Sequence, residues 1–303
     1  MFKGTFTALV TPFKNREVDE ECFREHIHFQ IRNNITGIVP CGTTGETVTL
    51  THKEYERVIS IAVEEAKGKV PVIAGTGSNN TETVIETTKL AGELGADACL
   101  VVTPYYNKPP QEGLYQHYKR VAGETKIPII LYNVPSRTGC NLEPQTVARL
   151  ADLDKIVGLK EASGNLKQVC DVIALCGDRI SILSGDDYLS YPLMSVGGHG
   201  LISVAANVIP EGMSAMIQAA SNGEWDKARS LHYRYKELCD MLFIETNPIP
   251  VKTALAMMGK MQPEFRLPLC RMKEENEGPL AEALLRHRLI KSRPLFDQSK
   301  MTD

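Results

Sequence analysis

The feature that most constrains the fold is a series of eight short apolar segments spread along the chain. Each segment is continuously apolar rather than alternating, which is typical of parallel strands that are buried on both faces. The spacing is about thirty residues early in the chain and about twenty later, which leaves room for one helix after each strand. The segments are TFTALVTPF from residue 5, GIVPCGTT from 37, VPVIAGTG from 70, ACLVVTPYY from 98, IPIILYNVP from 127, IVGLKEAS from 156, ISILSGDD from 180 and GLISVAAN from 200.

The stretches between these segments have the pattern of amphipathic helices. Residues 51–68, THKEYERVISIAVEEAKG, are the clearest example, because Thr51 and Glu54 have the spacing of a capping box. Lys67 and Gly68 then follow in the order expected at a helix C-terminus. One face of this helix carries Tyr55, Val58, Ile59, Ala62 and Val63.

Eight strand–helix units predict an α/β protein folded as a closed (β/α)8 TIM barrel. The rival is an open doubly wound sheet, which usually has a glycine-rich first turn, whereas the first segment here ends in VTPF. Beyond residue 208 the strand pattern stops, and residues 212–243 and 247–261 have helical patterns. We therefore expect residues 1–223 to form the barrel that carries the active site, and residues 224–303 to form a C-terminal helical appendage.

Composition narrows the class of protein. The 303 residues carry a formal net charge of -3, so no basic excess points to a nucleic acid or an anionic membrane surface. The sequence predicts no signal peptide and no apolar run long enough to span a bilayer. None of the 8 cysteines forms a CxxC pair or has zinc-ligand spacing, so we expect reduced thiols, no metal site and a cytoplasmic protein.

In a barrel enzyme the reactive groups lie at the C-terminal ends of the strands. Lys160 is the residue of most interest there, because it follows the apolar residues IVGL in the sixth segment. Burial disfavours the charged form of a lysine, and a neutral amine attacks a ketone to form a Schiff base. The alternative is that Lys160 extends to the barrel mouth and pairs with Glu161.

Other candidates follow the remaining segments. Tyr132 is a candidate for proton transfer, assisted by the hydroxyl groups of Thr43 and Tyr106, although each tyrosine is also explained by packing alone. Arg137 could bind a substrate carboxylate in a bidentate manner or be a surface residue. The remaining candidates at these strand ends are Thr44, Tyr105, Gly185, Asp186, Asp187, Ile202 and Ser203.

Two further features at the strand ends are open to more than one interpretation. Gly42 and Gly45 allow backbone N–H groups to face a carboxylate, but a plain tight turn explains them almost as well. Asp186 and Asp187 could bind a metal ion, yet without a third ligand in register we favour a supporting role or one at a helix N-terminus.

Seven motifs, in order from about residue 2 to about residue 270, carry a family resemblance. They are GTTGE at residues 42–46, TPYYNKP at 103–109, YNVPSRTG at 132–139, GLKEASGN at 158–165, LSGDD at 183–187, GGHGLISVAANV at 197–208 and NPIPVK at 247–252. Together they resemble the 4-hydroxy-tetrahydrodipicolinate synthase (dihydrodipicolinate synthase) family. This family belongs to the class I aldolases that include N-acetylneuraminate lyase. Beyond about residue 268 the sequence departs from the family pattern.

The resemblance implies an activity: pyruvate condenses with L-aspartate 4-semialdehyde on the way to diaminopimelate and lysine. No cofactor is implied beyond the covalent Schiff base with pyruvate on Lys160. Tyr132 matches the general acid/base, and Thr43 and Tyr106 match a proton relay in which Tyr106 reaches a neighbouring subunit. A homotetramer built from two tight dimers is implied. The residues that match substrate contacts are Thr44, Ile202, Arg137 and, with them, Gly185.

The resemblance also implies a lysine-binding regulatory site at the dimer interface, to which His52, Asn79 and Tyr105 correspond. Tyr55 stands where lysine-sensitive bacterial enzymes often carry His, and Thr83 stands where they carry Glu. Since a carboxylate is the natural partner of a lysine ammonium group, we expect weak or absent feedback inhibition.

Three alternatives remain open from the sequence. Another pyruvate-dependent aldolase, such as a lyase for N-acetylneuraminate or for a 2-keto-3-deoxy sugar acid, would share Lys160 and Tyr132. A non-catalytic barrel that binds a 2-oxo acid is less favoured, because Lys160, Tyr132 and Thr43 are all present. A phosphate- or flavin-dependent barrel needs a glycine-rich loop after strands seven and eight, whereas SVGGHG precedes strand eight.

Overall fold

Eight parallel strands form the barrel in the computed structural model, which describes residues 1–292. Around the ring their order is β2, β1, β8, β7, β6, β5, β4, β3, and a parallel bridge between Ile38 and Val72 joins the two ends. The predicted (β/α)8 fold is therefore confirmed. The strands are β1 Gly4–Ala8, β2 Gly37–Val39, β3 Ile73–Gly75, β4 Ala98–Val102, β5 Ile129–Asn133, β6 Ile156–Glu161, β7 Ser181–Ser184 and β8 Gly200–Ser203.

The continuous apolar segments arise because each strand is buried on both faces. In β4, Leu100 packs in the interior of the barrel, whereas Cys99 and Val101 pack against the surrounding helices. Successive side chains of a strand point to opposite sides, so both sides require apolar residues. Inside the barrel, the apolar layer includes Phe6, Val39, Ile73, Ile130, Leu183 and Ile202.

Helices surround the barrel and continue beyond it. In α2, Thr51 and Glu54 form the predicted capping box, and Lys67 ends the helix in the left-handed conformation. The helices are α1 Glu20–Arg32, α2 His52–Ala66, α3 Thr81–Glu93, α4 Gln111–Glu124, α5 Pro135–Thr138, α6 Pro144–Leu150, α7 Leu166–Cys176, α8 Ser190–Ser195, α9 Pro210–Ser221, α10 Trp225–Met241, α11 Ile249–Met257 and α12 Glu274–Arg286.

Two local features were not anticipated from the sequence. A short antiparallel hairpin joins Phe13–Lys14 to Glu17–Val18 between β1 and α1. The unit after β5 contains two short helices, because prolines at residues 135 and 144 each begin a new helix. The first of these, α5, places Arg137 directly beyond the end of β5.

The last helices pack on one side of the barrel. Helix α10 lies against α9, and α12 lies against α10 and α11. Leu238, Val251 and Leu284 belong to the same apolar core as Leu201 of β8 and Met213 of α9. The division of the chain at residue 223 stays a prediction, and its residues 293–303 lie outside the described part. Within the described part, no helix is long and apolar enough to cross a membrane.

Candidate active site

A cavity of about 430 Å³ opens at the C-terminal ends of the strands. In a barrel this end carries the loops that vary with function. The cavity brings together eight residues that the sequence analysis singled out: Gly42, Thr43, Thr44, Tyr132, Arg137, Lys160, Gly185 and Asp186.

Lys160 and Tyr132 are paired neighbours on adjacent strands, β6 and β5. Both are buried, with 6% of Lys160 and 7% of Tyr132 exposed. The Lys160 Nζ lies 4.2 Å from the centroid of the Tyr132 ring. Tyr132 therefore places both an aromatic ring and a hydroxyl group at the cavity wall beside the amine.

The alternative pairing of Lys160 with Glu161 is not found. Because neighbouring residues of a strand face opposite sides, Glu161 points away from the cavity. Its carboxylate accepts hydrogen bonds from Gln168 Nε2 at 3.2 Å and from the Ser163 amide at 2.6 Å. Among residues 1–292, Lys160 has no carboxylate within salt-bridge distance.

Gly185 leaves the space that Lys160 occupies. A Cβ atom at residue 185 would lie 2.7 Å from the Ala162 Cβ and 3.0 Å from the Lys160 Cε. Both distances are too short for carbon atoms in van der Waals contact. A glycine at the end of β7 is therefore required for the side chain of Lys160 to lie where it does.

Comparison with known proteins identifies the family of this chain. A model of the dihydrodipicolinate synthetase family matches residues 1–287. The chain belongs to this family. A 4-hydroxy-tetrahydrodipicolinate synthase from Thermodesulfovibrio yellowstonii is 56% identical over 291 residues, covering 96% of this chain and 100% of the relative. The family predicted from the seven motifs and the predicted class, a lyase, are thereby confirmed.

Solved structures of this family have the same fold. The dihydrodipicolinate synthase from Aquifex aeolicus matches with a TM-score of 0.94 and 48% identity, covering 95% of this chain and 99% of that one. A second structure, described as the first monomeric dihydrodipicolinate synthase variant, has a TM-score of 0.94 at 42% identity. The match covers 95% of this chain and 98% of the chain in that structure.

In this synthetase family member, Thr44 and Arg137 meet at one residue of the C-terminal region. The Asn247 Nδ2 donates a hydrogen bond to the Thr44 Oγ1 at 3.0 Å. The Arg137 Nη2 donates to the backbone oxygen of Asn247 at 3.1 Å. Asn247 thus holds two candidate substrate-binding side chains in one geometry.

A buried ion pair supports the loop that carries Thr43 and Thr44. The Lys252 Nζ of α11 lies 2.5 Å from the Glu46 Oε1, and both side chains are almost completely inaccessible to water. Burial lowers the pKa of Lys252, and the adjacent carboxylate opposes this shift. The loop after β2 is therefore attached to the C-terminal region by a charge pair in the protein interior.

The two aspartates after β7 support neighbouring backbone. Asp187 accepts hydrogen bonds from the Ser203 hydroxyl and, at 3.0 Å each, from the amides of Val204 and Ala205. Burial raises the pKa of Asp187 to about 6. The Asp186 Oδ1 accepts from the amide of Tyr188 at 2.8 Å. Among the described residues, no group of three or more His, Cys, Asp or Glu side chains is arranged to hold a metal ion.

Two of the predicted catalytic and substrate-binding residues do not line the cavity. Ile202 is fully buried in the apolar interior of the barrel and is not among the residues that line the cavity. Tyr106 is 89% exposed and has a φ of 74°, a conformation that bulky residues rarely adopt. In this single chain Tyr106 therefore points into solvent.

The candidate lysine-binding residues lie on the outer surface. His52 is exposed at the start of α2, while Tyr105 and Asn79 are half-buried. Tyr55 is buried, and its hydroxyl donates to the backbone oxygen of Gly75 at 3.1 Å. Thr83 is exposed on α3.

Several cavity residues were missed by reasoning from the sequence. Four of them come from the C-terminal region, which has no strand pattern to mark a functional position. The only signal was the motif NPIPVK, which begins at Asn247. The missed residues include Ser136, Tyr188, Val204, Cys239, Asp240, Phe243 and Asn247.

Proposed function

We propose that this chain condenses pyruvate with L-aspartate 4-semialdehyde to give 4-hydroxy-tetrahydrodipicolinate, a step toward diaminopimelate and lysine. Family membership and the name of the Thermodesulfovibrio relative support this activity. The observation that carries the proposal is the buried pairing of Lys160 with Tyr132 at the cavity wall.

The proposed reaction begins at Lys160. Its neutral amine attacks the ketone carbon of pyruvate, and loss of water gives an iminium. The iminium withdraws electrons, so a methyl proton is lost and an enamine forms. The enamine carbon bonds to the aldehyde carbon of the second substrate, whose oxygen takes up a proton. The α-amine of that substrate then attacks the iminium carbon, closes the ring and releases the Lys160 amine.

Each proton transfer requires a group beside the reacting atoms, and Tyr132 is the neighbour of the amine. We assign proton transfer to Tyr132, with Thr43 at the cavity wall as its relay. Thr44 and Gly185 are assigned to pyruvate, and Arg137 to the carboxylate of the semialdehyde. The covalent iminium is itself the electron sink, so the proposed reaction invokes no further cofactor.

We also propose a homo-oligomer, with a tetramer made of two dimers as its form. The strained and exposed Tyr106 would complete the relay in the site of a second copy. The existence of a monomeric variant among the structural neighbours makes the oligomeric state a quantity to be measured. A cytoplasmic location stays a prediction.

Trapping of the Schiff base tests the proposed function. The protein is incubated with pyruvate and borohydride, and the modified peptide is identified by mass spectrometry. We expect one adduct, on Lys160, and none in the Lys160→Met variant. An adduct on another lysine, or no adduct, would contradict the proposal.

A substrate panel separates this activity from related aldolases. Consumption of pyruvate is measured with L-aspartate 4-semialdehyde, and release of pyruvate is measured from N-acetylneuraminate and 2-keto-3-deoxygluconate. We expect turnover with the semialdehyde only. Faster turnover of either sugar acid would reassign the substrate while leaving the Schiff-base chemistry intact.

A further inference from the structure

Asn247 has one hydrogen-bonding atom that the rest of the protein leaves unused. Only 5% of the residue is exposed, and it lines the cavity. Its Nδ2 and its backbone oxygen are engaged by Thr44 and Arg137. Its side-chain oxygen, Oδ1, is buried and has no partner among residues 1–292. A buried amide oxygen without a partner costs stability, so an occupant of the cavity is its natural donor.

The partner of an amide oxygen must be a donor, which limits the ligand. Pyruvate in its ionised form has only acceptor oxygens and cannot satisfy Oδ1. Of the two substrates, only the second therefore carries a group that can donate to Oδ1 and displace water from it. Because Asn247 also holds the Arg137 guanidinium, the unused acceptor lies beside a group suited to a carboxylate. A carboxylate and an ammonium group on one carbon, as in an α-amino acid, match this arrangement.

The charges around the cavity favour a cation at this end. Asp186 and Asp240 line the same cavity. Asp186 uses Oδ1 for the amide of Tyr188, while its Oδ2 has no hydrogen-bond partner in the described part of the chain. Asp240 is paired with Lys236 at 2.6 Å. The Asp186 Oδ2 thus remains available to lower the energy of an ammonium group.

We propose that Asn247 determines specificity for an amino-acid aldehyde, because its Oδ1 accepts a hydrogen bond from the α-ammonium group of the second substrate. This inference rests on the proposed function. It adds a role for a residue outside the eight strand–helix units, and it explains why the cavity is completed by the C-terminal region.

The test compares two aldehydes that differ only in the amino group. L-Aspartate 4-semialdehyde has it, and succinate semialdehyde, used as a competitor, lacks it. In Asn247→Leu, which has no acceptor, we expect KM for L-aspartate 4-semialdehyde to rise by about tenfold to a hundredfold. The competition constant of succinate semialdehyde should change by less than about threefold. An equal weakening of both aldehydes would overturn the inference and indicate a general loss of cavity shape.

Asn247→Asp is the matched second variant, because it keeps an oxygen at the same place. We expect it to retain the preference for the aminated aldehyde, because its carboxylate oxygen accepts the same hydrogen bond. If Asn247→Asp instead lost the preference to the same extent as Asn247→Leu, the side-chain oxygen would not be the recognition group and the inference would fail.

Exchange of the pyruvate methyl protons in D2O, followed by NMR in the unmodified protein, separates this inference from the proposed function. This exchange needs the Schiff base and no aldehyde. Its absence would mean that the proposed function fails. Its presence, with unchanged aldehyde discrimination in Asn247→Leu, would mean that only the role of Asn247 is wrong.

Discussion

Lys160 shows how one charged side chain is accommodated in an apolar barrel. Its neighbour Glu161 faces the helices and is satisfied there by hydrogen bonds, so the two opposite charges do not neutralise each other. The ring of Tyr132 covers one side of the amine, and the missing side chain at Gly185 leaves room on another. The amine is thus held against the cavity with little freedom to turn away.

Gly185→Ala is expected to displace this amine. The added methyl group would lie 2.7 Å from the Ala162 Cβ and 3.0 Å from the Lys160 Cε, so the backbone at Ala162, just after β6, and with it the lysine, must shift. A misplacement of about 1 Å can cost about a hundredfold in rate. We expect the rate of pyruvate methyl-proton exchange to fall by about this factor.

Gly123→Ala is the matched control, because a Cβ at this exposed position of α4 meets no atom within 4 Å. It should leave the exchange rate unchanged. A normal rate in Gly185→Ala would show that the lysine tolerates the displacement.

Weak or absent inhibition by lysine is expected at the residue scale. The hydroxyl of Tyr55 is already engaged by the Gly75 backbone, and Thr83 offers no carboxylate to an ammonium group. Steady-state rates measured up to millimolar lysine check this expectation. Strong inhibition would show that the lysine-binding site does not need these two positions.

At the scale of elements, helix α11 of the C-terminal region is part of the site because it holds the loop after β2. The pair Glu46–Lys252 joins the two, and Lys252 Nζ also lies 4.4 Å from the centroid of the Phe13 ring. Glu46 is in the left-handed conformation, with a φ of 53°. A turn of this kind next to Thr44 needs support from elsewhere in the fold.

Lys252→Met should strongly destabilise the protein. It leaves the Glu46 carboxylate buried without its partner, which typically costs about 3–5 kcal/mol. We expect a large fall in the denaturant midpoint, and the double variant Glu46→Gln/Lys252→Met should recover part of it because no charge is left buried. Lys167→Met, which removes an exposed ion pair with Asp171, is the control and should not shift the midpoint. Equal effects of the two single variants would mean that burial of the pair is unimportant.

At the scale of the whole molecule, the barrel alone does not enclose the cavity. Asp240 and Asn247, beyond the eighth unit, complete its wall, and Tyr106 faces away from it. The contribution of Asp240 and Asn247 makes the C-terminal region part of the catalytic unit. The exposed position of Tyr106 is the reason for proposing that two copies share their sites.

Mixing two inactive variants tests such sharing. If Tyr106 acts in the partner's site, Lys160→Met and Tyr106→Phe chains should regain activity when they are unfolded together and refolded. A site with intact Lys160 then receives an intact Tyr106 from the other chain. About a quarter of the sites should be active at random pairing, which is the statistical expectation for a two-fold dimer. No recovery in a mixture that sedimentation shows to be oligomeric would contradict a shared site.

Acid should destabilise the whole fold through buried histidines. Burial lowers the pKa of His117 to about 4, and that of His26 to about 4. The unfolded chain therefore binds protons from about pH 6.5 downward while the native state does not, so stability falls as the pH falls toward 4. The pKa of Asp187 is raised to about 6, so the native state binds this proton before the unfolded chain does. Asp187 therefore makes the protein more stable as the pH falls from about 6 toward 4.

His117→Phe isolates one of these groups. The loss of stability between pH 7.5 and pH 5 should be smaller than in the unmodified protein by about 2 kcal/mol, since one protonation is removed. Melting curves at both pH values measure this difference, and His26 and Asp187 are present in both proteins. The exposed His52, changed to Gln, provides the control. An unchanged pH dependence in His117→Phe would show that the native state protonates His117 readily.

The sequence by itself determined the barrel and the candidate chemistry. Continuous apolar strands and capped helices are local patterns, and their repetition eight times allows few architectures. The C-terminal end of a strand can be read from where its apolar run stops, so Lys160, Tyr132, Thr43 and Arg137 were assigned to one face. The seven motifs then led to the correct family.

Only the tertiary structure decided which residues share the cavity. Asn247 lies 203 positions from Thr44 along the chain, yet it donates a hydrogen bond to it. No local pattern encodes such a contact, because it depends on where the C-terminal helices pack against the barrel. For the same reason the sequence left Asn247 without a role, and a contact of Ile202 with pyruvate stays a prediction. Residue type and periodicity report the local environment of a side chain, whereas the neighbours it meets across the fold depend on packing.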